Sequence, residues 1–185
     1  RYEVADKPIL WVDDVADEAD RIIGADGLHS TIRRQMLGRT RPRYTGNLAW
    51  RAVVPKADLA VPPLPNACVW AGHKRHAVTT LLRGGELINF VGMVETPEPG
   101  EEGWRIEGAR DDVLRDFSGW HPIIDGILKT APRFHRWALF DRPPLPRWSD
   151  GAVAVVGDAA HPMLPSMAQG AVQALEDAWL LALHV

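Results

Sequence analysis

Two short segments contain the residues that could do chemistry. The first, VAVVGDAAHPMLPSMAQGA, runs from Val153 to Ala171 and combines an apolar run, a carboxylate, prolines and glycines. The second, IIGADGLHS, runs from Ile22 to Ser30. In parallel α/β sheets, ligands bind beyond the carboxyl ends of the strands, where glycine lets the backbone approach a ligand and helix N-termini offer free N–H groups. Both segments have the composition of such a strand end.

A carboxylate at a strand end favours one kind of ligand. Asp158 would repel a phosphate, but it can accept hydrogen bonds from the hydroxyls of a ribose or ribityl chain, as the acidic residue of dinucleotide-binding folds does. Taken singly, each segment is equally compatible with an aspartate that only caps a turn or a helix. The spacing alone therefore leaves both roles open for Asp26 and Asp158.

The surrounding sequence predicts a strand before each segment and a helix after it. Residues 21–23 are expected to end one strand, and Ser30 is a suitable N-cap for a helix with its apolar residues on one face. The run AVAVV at 152–156 is typical of a buried strand. A helix is expected over 171–183, where the apolar residues recur at helical spacing, and a further strand over 9–12.

Between the two segments the residue pattern becomes that of β-strands. The stretch 47–55, NLAWRAVVP, is β-branched and aromatic, and 76–95 predicts two strands joined at Gly84–Gly85. Two short helices are expected within 110–130. A solvated loop is expected at 96–103.

This order of elements predicts a mixed α/β fold, α+β overall, with two domains. Residues 1–43 and 143–185 would form a partial Rossmann-like sheet. Residues 44–142 would form a β-rich domain that interrupts it.

Composition and charge exclude several classes of protein. The 185 residues, 46% hydrophobic, suffice for a core, and a net charge of −3 gives no reason to expect nucleic acid or an anionic membrane as a partner. No apolar run approaches the roughly 20 residues that span a bilayer. The single cysteine, Cys68, fits a reducing compartment such as the cytoplasm. Because the chain starts with Arg1 and stops within an apolar helical pattern, we expect it to be a piece of a larger protein.

Together the two segments resemble the group A FAD-dependent monooxygenases, the fold family of para-hydroxybenzoate hydroxylase. That family has GADGxxSxxR and GDAAHxxxPxxxQG, and this chain has GADGLHSTIR and GDAAHPMLPSMAQG, with every fixed position matched. The stretches YTGNLAWRAVVP, RGGELINFV, FSGWHP and LFDRPPLPRWSDG resemble the branch of salicylate hydroxylase and 3-hydroxybenzoate 6-hydroxylase. The resemblance runs from about Asp20 to Val185.

The resemblance implies that the Rossmann-like domain binds FAD and that the β-rich domain binds substrate. Asp158 would bind the ribityl or ribose hydroxyls of FAD, with Gly157 giving room. The set implied for the pyrophosphate region and for docking NAD(P)H is Gly24, Asp26, Gly27 and Arg33. The set implied for the edge of the flavin ring is Pro165, Ala168, Gln169 and Gly170.

The implied reaction is hydroxylation of a small aromatic acid with NAD(P)H and O2, in which a base or acceptor near the ring hydroxyl is expected. The branch often has an active-site histidine at the position of His76, which can equally be a structural histidine. Four residues later the branch commonly has tyrosine, whereas this chain has Thr80. Gln169 faces substrate in some relatives, or else bonds backbone. The candidate catalytic residues are therefore His76, Pro165 and Gln169.

Other features have plainer interpretations. HKRH at 73–76 lacks a second cluster of ligands, so no metal site is expected. His161 is expected to be a structural hydrogen-bonding residue, and Glu176 and Asp177 to solvate one helix face. A homodimer is the candidate assembly.

The chain contains no GxGxxG loop, which in the family follows the first strand and helps to hold the ADP part of FAD. The chain alone is therefore expected to bind FAD poorly, and activity to belong to the parent protein. Two alternatives stay open. One is a flavoprotein of the same scaffold with epoxidase or oxidase chemistry, and the other is a non-catalytic fragment or interaction module.

Overall fold

The computed structural model describes residues 1–4, 7–98, 106–165 and 168–184. The chain divides into two compact units, Arg1–Arg43 with Phe140–Val185, and Tyr44–Leu139. Part of the expected solvated loop at 96–103 lies outside the described residues, as do Ser166 and Met167 of the first segment.

The elements follow one another along the chain with these bounds. The strands are β1 (Tyr2–Glu3), β2 (Ile9–Val12), β3 (Val15–Glu18), β4 (Ile22–Gly24), β5 (Arg43–Pro55), β6 (Ala67–Gly72), β7 (Arg75–Leu82), β8 (Leu87–Glu95), β9 (His135–Asp141), β10 (Ser149–Asp150) and β11 (Val153–Val155). The helices are α1 (Thr31–Leu37), α2 (Arg110–Asp116), α3 (Pro122–Thr130) and α4 (Gly170–Ala182).

The first unit contains two small sheets. One is an antiparallel meander in the order β1-β2-β3, and the other has the order β10-β11-β4. In the second sheet β11 runs parallel to β4, with Val153 opposite Ile22 and Val155 opposite Gly24. Both valines are buried at 1% exposure, together with Ile32 and Met36 of α1. The predicted mixed α/β fold is confirmed.

The second unit is a five-stranded sheet in the order β6-β7-β8-β5-β9. Because side chains alternate between the two faces of a strand, Trp50 and Phe90 lie on one face, where they join a core with residues of α2 and α3 such as Val113 and Ile124. Arg51, on the other face of β5, is exposed.

Most elements agree with the sequence patterns, but the strands β1, β3, β6, β9 and β10 were not predicted. The turn between β7 and β8 contains Gly84 at φ +66° and Gly85 at φ +102°, which confirms the predicted hairpin. Among these, β6 and β9 of the five-stranded sheet lack the alternation or the β-branched content that identifies a strand. The predicted last helix is confirmed as α4, but none of its residues is buried. No helix in the described ranges is long and apolar enough to cross a membrane.

Candidate functional site

The parallel pairing of β4 and β11 brings the two segments to one edge of a sheet. Val155 lies opposite Gly24, the last residue of β4, and the Val156 N–H donates to the Gly24 carbonyl at 3.0 Å. The loop that follows β4 and the loop that follows β11 therefore leave the sheet side by side. We call them the first loop (25–30) and the second loop (156–169).

Arg33 joins these two loops through its guanidinium group. Its Nη1 donates to the Ala159 carbonyl at 2.9 Å and its Nη2 to the Leu28 carbonyl at 2.6 Å, while the residue is only 4% exposed. Burial, and to a smaller extent the nearby Arg142, lower the pKa of Arg33, whereas Asp26 raises it. Arg33 thus fixes the positions of the two loops from a buried position and makes no contact with the ligand space between them.

The start of α1 has two side-chain caps. Ser30 is buried, and its hydroxyl oxygen accepts from the Arg33 N–H at 2.8 Å, which confirms it as the N-cap. Asp26 accepts from the N–H groups of Thr31 at 2.7 Å and Ile32 at 3.2 Å. Burial raises the pKa of Asp26, but the hydrogen bonds from Ser30 and these backbone groups outweigh it, so the pKa lies below its usual value. Here Asp26 acts as a helix cap.

Glycine is required at two positions for packing. A Cβ on Gly24 would lie 2.8 Å from the Ile32 Cβ, so this residue lets α1 approach the strand. Gly157 has φ +57°, and a Cβ there would lie 3.3 Å from the Ala174 Cβ of α4. Both glycines therefore allow a helix to come close to the loops.

Asp177 of α4 holds the second loop, which corrects the expectation that it only solvates a helix face. Its Oδ2 accepts from the Gly157 N–H at 2.8 Å and lies 2.5 Å from His161 Nε2. The side chains of His161 and Asp177 are 18% and 12% exposed, and the imidazole stacks on Trp148 with ring centroids 4.9 Å apart. The predicted structural role of His161 agrees with this arrangement. Sequence reasoning missed this role because Gly157 and Asp177 are 20 residues apart, and no local pattern connects them.

The two loops and the start of α4 enclose a cavity of about 640 Å³, which we call the loop cavity. Its walls consist mostly of glycine, alanine and other apolar residues. The described residues that line it are Ala25, Gly27, Val156, Gly157, Asp158, Met163, Leu164, Pro165, Ala168, Gly170, Ala171, Ala174 and Ala178. Such walls expose backbone and small side chains, and so leave room for a large flat ligand.

Asp158 is the one acidic residue among the described residues of this lining. It is exposed and makes no hydrogen bond or ion pair with the described part of the chain. In contrast to Asp26 and Asp177, its carboxylate oxygens are available to a ligand. The walls and this acceptor fit a molecule that combines a flat ring with a polyol chain.

The remaining predicted site residues fall into three places. Pro165, Ala168 and Gly170 line the loop cavity, with Ala168 in the left-handed region at φ +52°. Gln169 is exposed at the N-cap position of α4, where its side chain caps no N–H group and does not line the loop cavity.

His76 belongs to the second unit. It lies on β7 between Ala71 and Met93 of the neighbouring strands, and it is half-buried. It lines a separate cavity of about 300 Å³ whose other polar side chains include Lys74 and Glu95. The described residues contain no group of three or more His, Cys, Asp or Glu that could hold a metal ion.

A family model described as an FAD binding domain matches residues 16–184. The chain belongs to this FAD-binding domain family. The predicted family membership is thereby confirmed, and the loop cavity lies within the matched residues.

The relatives of this chain include aromatic monooxygenases and hydroxylases. It is 39% identical over 176 residues to 6-hydroxynicotinate 3-monooxygenase of Pseudomonas fluorescens, which covers 93% of this chain and 46% of that protein. It is 42% identical over 161 residues to 3-hydroxybenzoate 6-hydroxylase of Klebsiella oxytoca, covering 86% of this chain and 40% of that protein. The chain thus spans less than half the length of these two relatives.

A solved structure of salicylate hydroxylase in complex with substrate is similar to nearly the whole of this chain. The TM-score is 0.82 at 30% identity, and the match covers 98% of this chain and 49% of that chain. This similarity confirms the predicted resemblance to the salicylate hydroxylase branch.

We predict that Asp177→Ala destabilises the first unit. The change leaves the buried Gly157 N–H and the His161 ring without their acceptor, so the free energy of unfolding should fall by about 2–3 kcal/mol. The measurement is urea unfolding followed by circular dichroism. Glu176→Ala, at the exposed neighbour on α4, is the matched control and should change stability by less than about 0.5 kcal/mol. Equal stability of the two variants would contradict the assigned role of Asp177.

We predict that the stabilisation by Asp26 depends on pH. Because the folded-state pKa of Asp26 lies below its usual value, the ionised cap stabilises the fold above about pH 4 and is lost as the pH falls through the folded pKa. Asp26→Asn keeps a capping oxygen but loses the charge, so it should lower the free energy of unfolding by about 0.5 kcal/mol at pH 7, and the difference should shrink in acid. Asp17→Asn, at an exposed position of β3, serves as control. A difference that is the same at pH 7 and pH 3 would refute this account.

Proposed function

We propose that this chain is the part of a flavin-dependent monooxygenase that contacts the flavin ring and the substrate. The whole protein would hydroxylate a small aromatic acid with NAD(P)H and O2. The observation that carries the proposal is the loop cavity, which both motif segments build and which Asp158 lines with a carboxylate that has no partner among the described residues. The similarity to aromatic monooxygenases and to salicylate hydroxylase supports the reaction class.

The residues of the loop cavity would bind FAD in distinct ways. Asp158 would accept hydrogen bonds from the ribityl or ribose hydroxyls. Pro165, Ala168 and Gly170 would lie along the flavin ring. The small side chain of Ala168 and the absence of one at Gly170 would let the backbone come close to the ring. Gly27, at φ +76°, would leave room near the pyrophosphate because nothing lies within 4 Å of the position of a Cβ.

Other predicted residues would act through the shape of the site. Gly24 and Asp26 fix α1, and Arg33 holds the two loops together. The Gly157 N–H is already taken by Asp177, so Gly157 would contribute space and not a hydrogen bond. We propose Gln169, exposed at the start of α4, as a side chain that reaches ligand when it is bound.

The two units would divide the work. We propose the first unit as FAD-binding domain and the second, with His76, as substrate-binding domain. His76 would accept the proton of the ring hydroxyl, which needs an acceptor because an ionised ring is the better nucleophile. Bound flavin supplies electron transfer from NAD(P)H and the activation of O2.

One observation favours a second candidate, a flavoprotein of the same scaffold with epoxidase or oxidase chemistry. Thr80 occupies the position where the branch commonly has tyrosine, and its hydroxyl accepts from Asn89 Nδ2 at 3.3 Å. A phenol is thus replaced by a short side chain that already has a partner. We propose the cytoplasm as the location, in line with the single cysteine, and a homodimer as the assembly.

The test of the proposed function is a titration of the flavin-free full-length protein with FAD, followed by flavin fluorescence and by thermal unfolding. Binding should raise the unfolding midpoint. Asp158→Ala should weaken binding by about tenfold or more, because a hydrogen bond to a charged acceptor is lost. Glu176→Ala removes an exposed carboxylate from α4 and should leave the affinity unchanged.

Two results would contradict the proposal. Equal FAD affinity of the full-length protein and of its Asp158→Ala variant would contradict the role of Asp158. A full-length protein that shows no flavin absorbance, or no NAD(P)H oxidation stimulated by an aromatic acid, would remove the reaction. Incorporation of oxygen into the ring of the product would exclude the second candidate.

A further inference from the structure

A third cavity lies in the second unit, next to β5 and β9. It has a volume of about 320 Å³, near the lower end of the roughly 300–1,000 Å³ of small-molecule sites. We call it the Arg51 cleft. Its lining consists of Arg51, Ala52, Val53, Pro132, Arg133 and His135.

The two guanidinium groups of the cleft have no counter-ion in the described part of the chain. Neither Arg51 nor Arg133 forms an ion pair there, and both are exposed. Other arginines behave differently, since Arg43 binds Asp141 at 2.6 Å. The lining contains no acidic residue. Two unneutralised cations that line one concave surface are the electrostatic pattern of an anion site.

A hydrogen-bonded row across the sheet positions Arg51. Its Nε donates to Asn89 Oδ1 at 3.3 Å, and Asn89 Nδ2 donates to Thr80 Oγ1 at 3.3 Å. The strand register explains the row, because Asn89 lies opposite both Val53 and Thr80 on the neighbouring strands. Since only Nε is engaged with the described residues, the terminal N–H groups of Arg51 are left for a ligand.

Two nearby features could oppose an anion. Pro132 follows α3, and the carbonyl groups at the end of a helix carry partial negative charge. Arg110 neutralises this end, because it donates to the carbonyls at 128, 129 and 131 at 3.2, 2.8 and 2.5 Å. Glu107 pairs with His135 through an isolated backbone bridge, but it does not line the cleft.

We infer that the Arg51 cleft binds the carboxylate of a small aromatic acid. The choice of an aromatic acid rests on the proposed function. Arg51 and Arg133 bind the two carboxylate oxygens, for which the planar guanidinium fork has the matching geometry. The ring lies against Val53 and Pro132, the apolar side chains on the side of the cleft that Arg51 faces. Asn89 and Thr80 act as positioning residues for Arg51.

The test uses the whole chain without flavin and two matched probes, benzoate and its uncharged analogue benzamide. Backbone amide chemical shifts report both the affinity and the place of binding. Benzoate should shift the amides of Arg51, Val53, Arg133 and His135, and it should bind about tenfold or more tightly than benzamide. Added salt should weaken benzoate binding and leave benzamide binding unchanged.

Variants assign the binding to the cleft. Arg51→Gln should weaken benzoate binding about tenfold, and Arg133→Gln should act in the same direction. Arg83→Gln, which removes an exposed cation from the turn after β7, is the control and should change nothing. Because Arg51 and Arg133 are exposed, the amide spectra of both variants should remain those of the folded chain.

Three results would overturn the inference: equal binding of benzoate and benzamide, equal effects of Arg51→Gln and Arg83→Gln, or shifts of the cleft amides by NADPH but not by benzoate. The last result would identify a phosphate site. This experiment fails separately from the FAD titration. If the full-length protein binds FAD but the chain does not bind benzoate, only this inference is lost. If the chain binds benzoate in the cleft but the full-length protein does not bind FAD, only the proposed flavin role is lost.

Discussion

The arrangement of the loop cavity depends on one buried charge. Arg33 lies almost entirely out of solvent, and a guanidinium in that environment must have its N–H groups satisfied. The chain satisfies them with the carbonyls of Leu28 and Ala159, one from each loop. Separating the loops would leave a desolvated cation and two carbonyl groups without partners, which is costly. The first and second loops are therefore held in one arrangement before any ligand binds.

Asp177 of α4 also holds the second loop. Its single oxygen accepts the Gly157 N–H and contacts the His161 ring, while Gly157 lets α4 approach closely. With Arg33 on α1 and Asp177 on α4, both helices that follow the motif strands are tied to the loops. The consequence is a preorganised wall, in which Asp158 is an acceptor without a partner in the described part of the chain. Preorganisation of this kind lowers the entropic cost of binding.

The sequence motifs were sufficient to predict the two motif strands, β4 and β11, with their loops and the family, because glycine and aspartate at strand ends are local signals. They were insufficient to separate the roles of similar residues. Asp26 and Asp158 have the same type and similar context, yet one caps a helix and the other faces the cavity. Gly24 belongs to a motif typical of nucleotide sites, and the structure shows it packed under Ile32. Such differences depend on which neighbours reach each residue in three dimensions.

Interactions between distant residues were invisible in the sequence for the same reason. Arg33 and Ala159 are 126 residues apart, and the tie from Asp177 to Gly157 crosses a whole loop. The Arg51 cleft combines residues of β5 with residues around the start of β9, which no periodicity in the sequence connects. Strands β6 and β9 have weak intrinsic preference for strand structure, and they form because they pair with β7 and β5 of the same sheet.

The central claim, that Arg33 holds the two loops together, is tested most directly by amide hydrogen exchange of Arg33→Met. The account predicts faster exchange at Val156, Ala160 and His161, whose N–H groups bond within the site, and unchanged exchange in the second unit. Arg34→Met, at the exposed neighbour on α1, should leave the pattern of the parent chain. Unchanged protection of the three amides in Arg33→Met would contradict the claim.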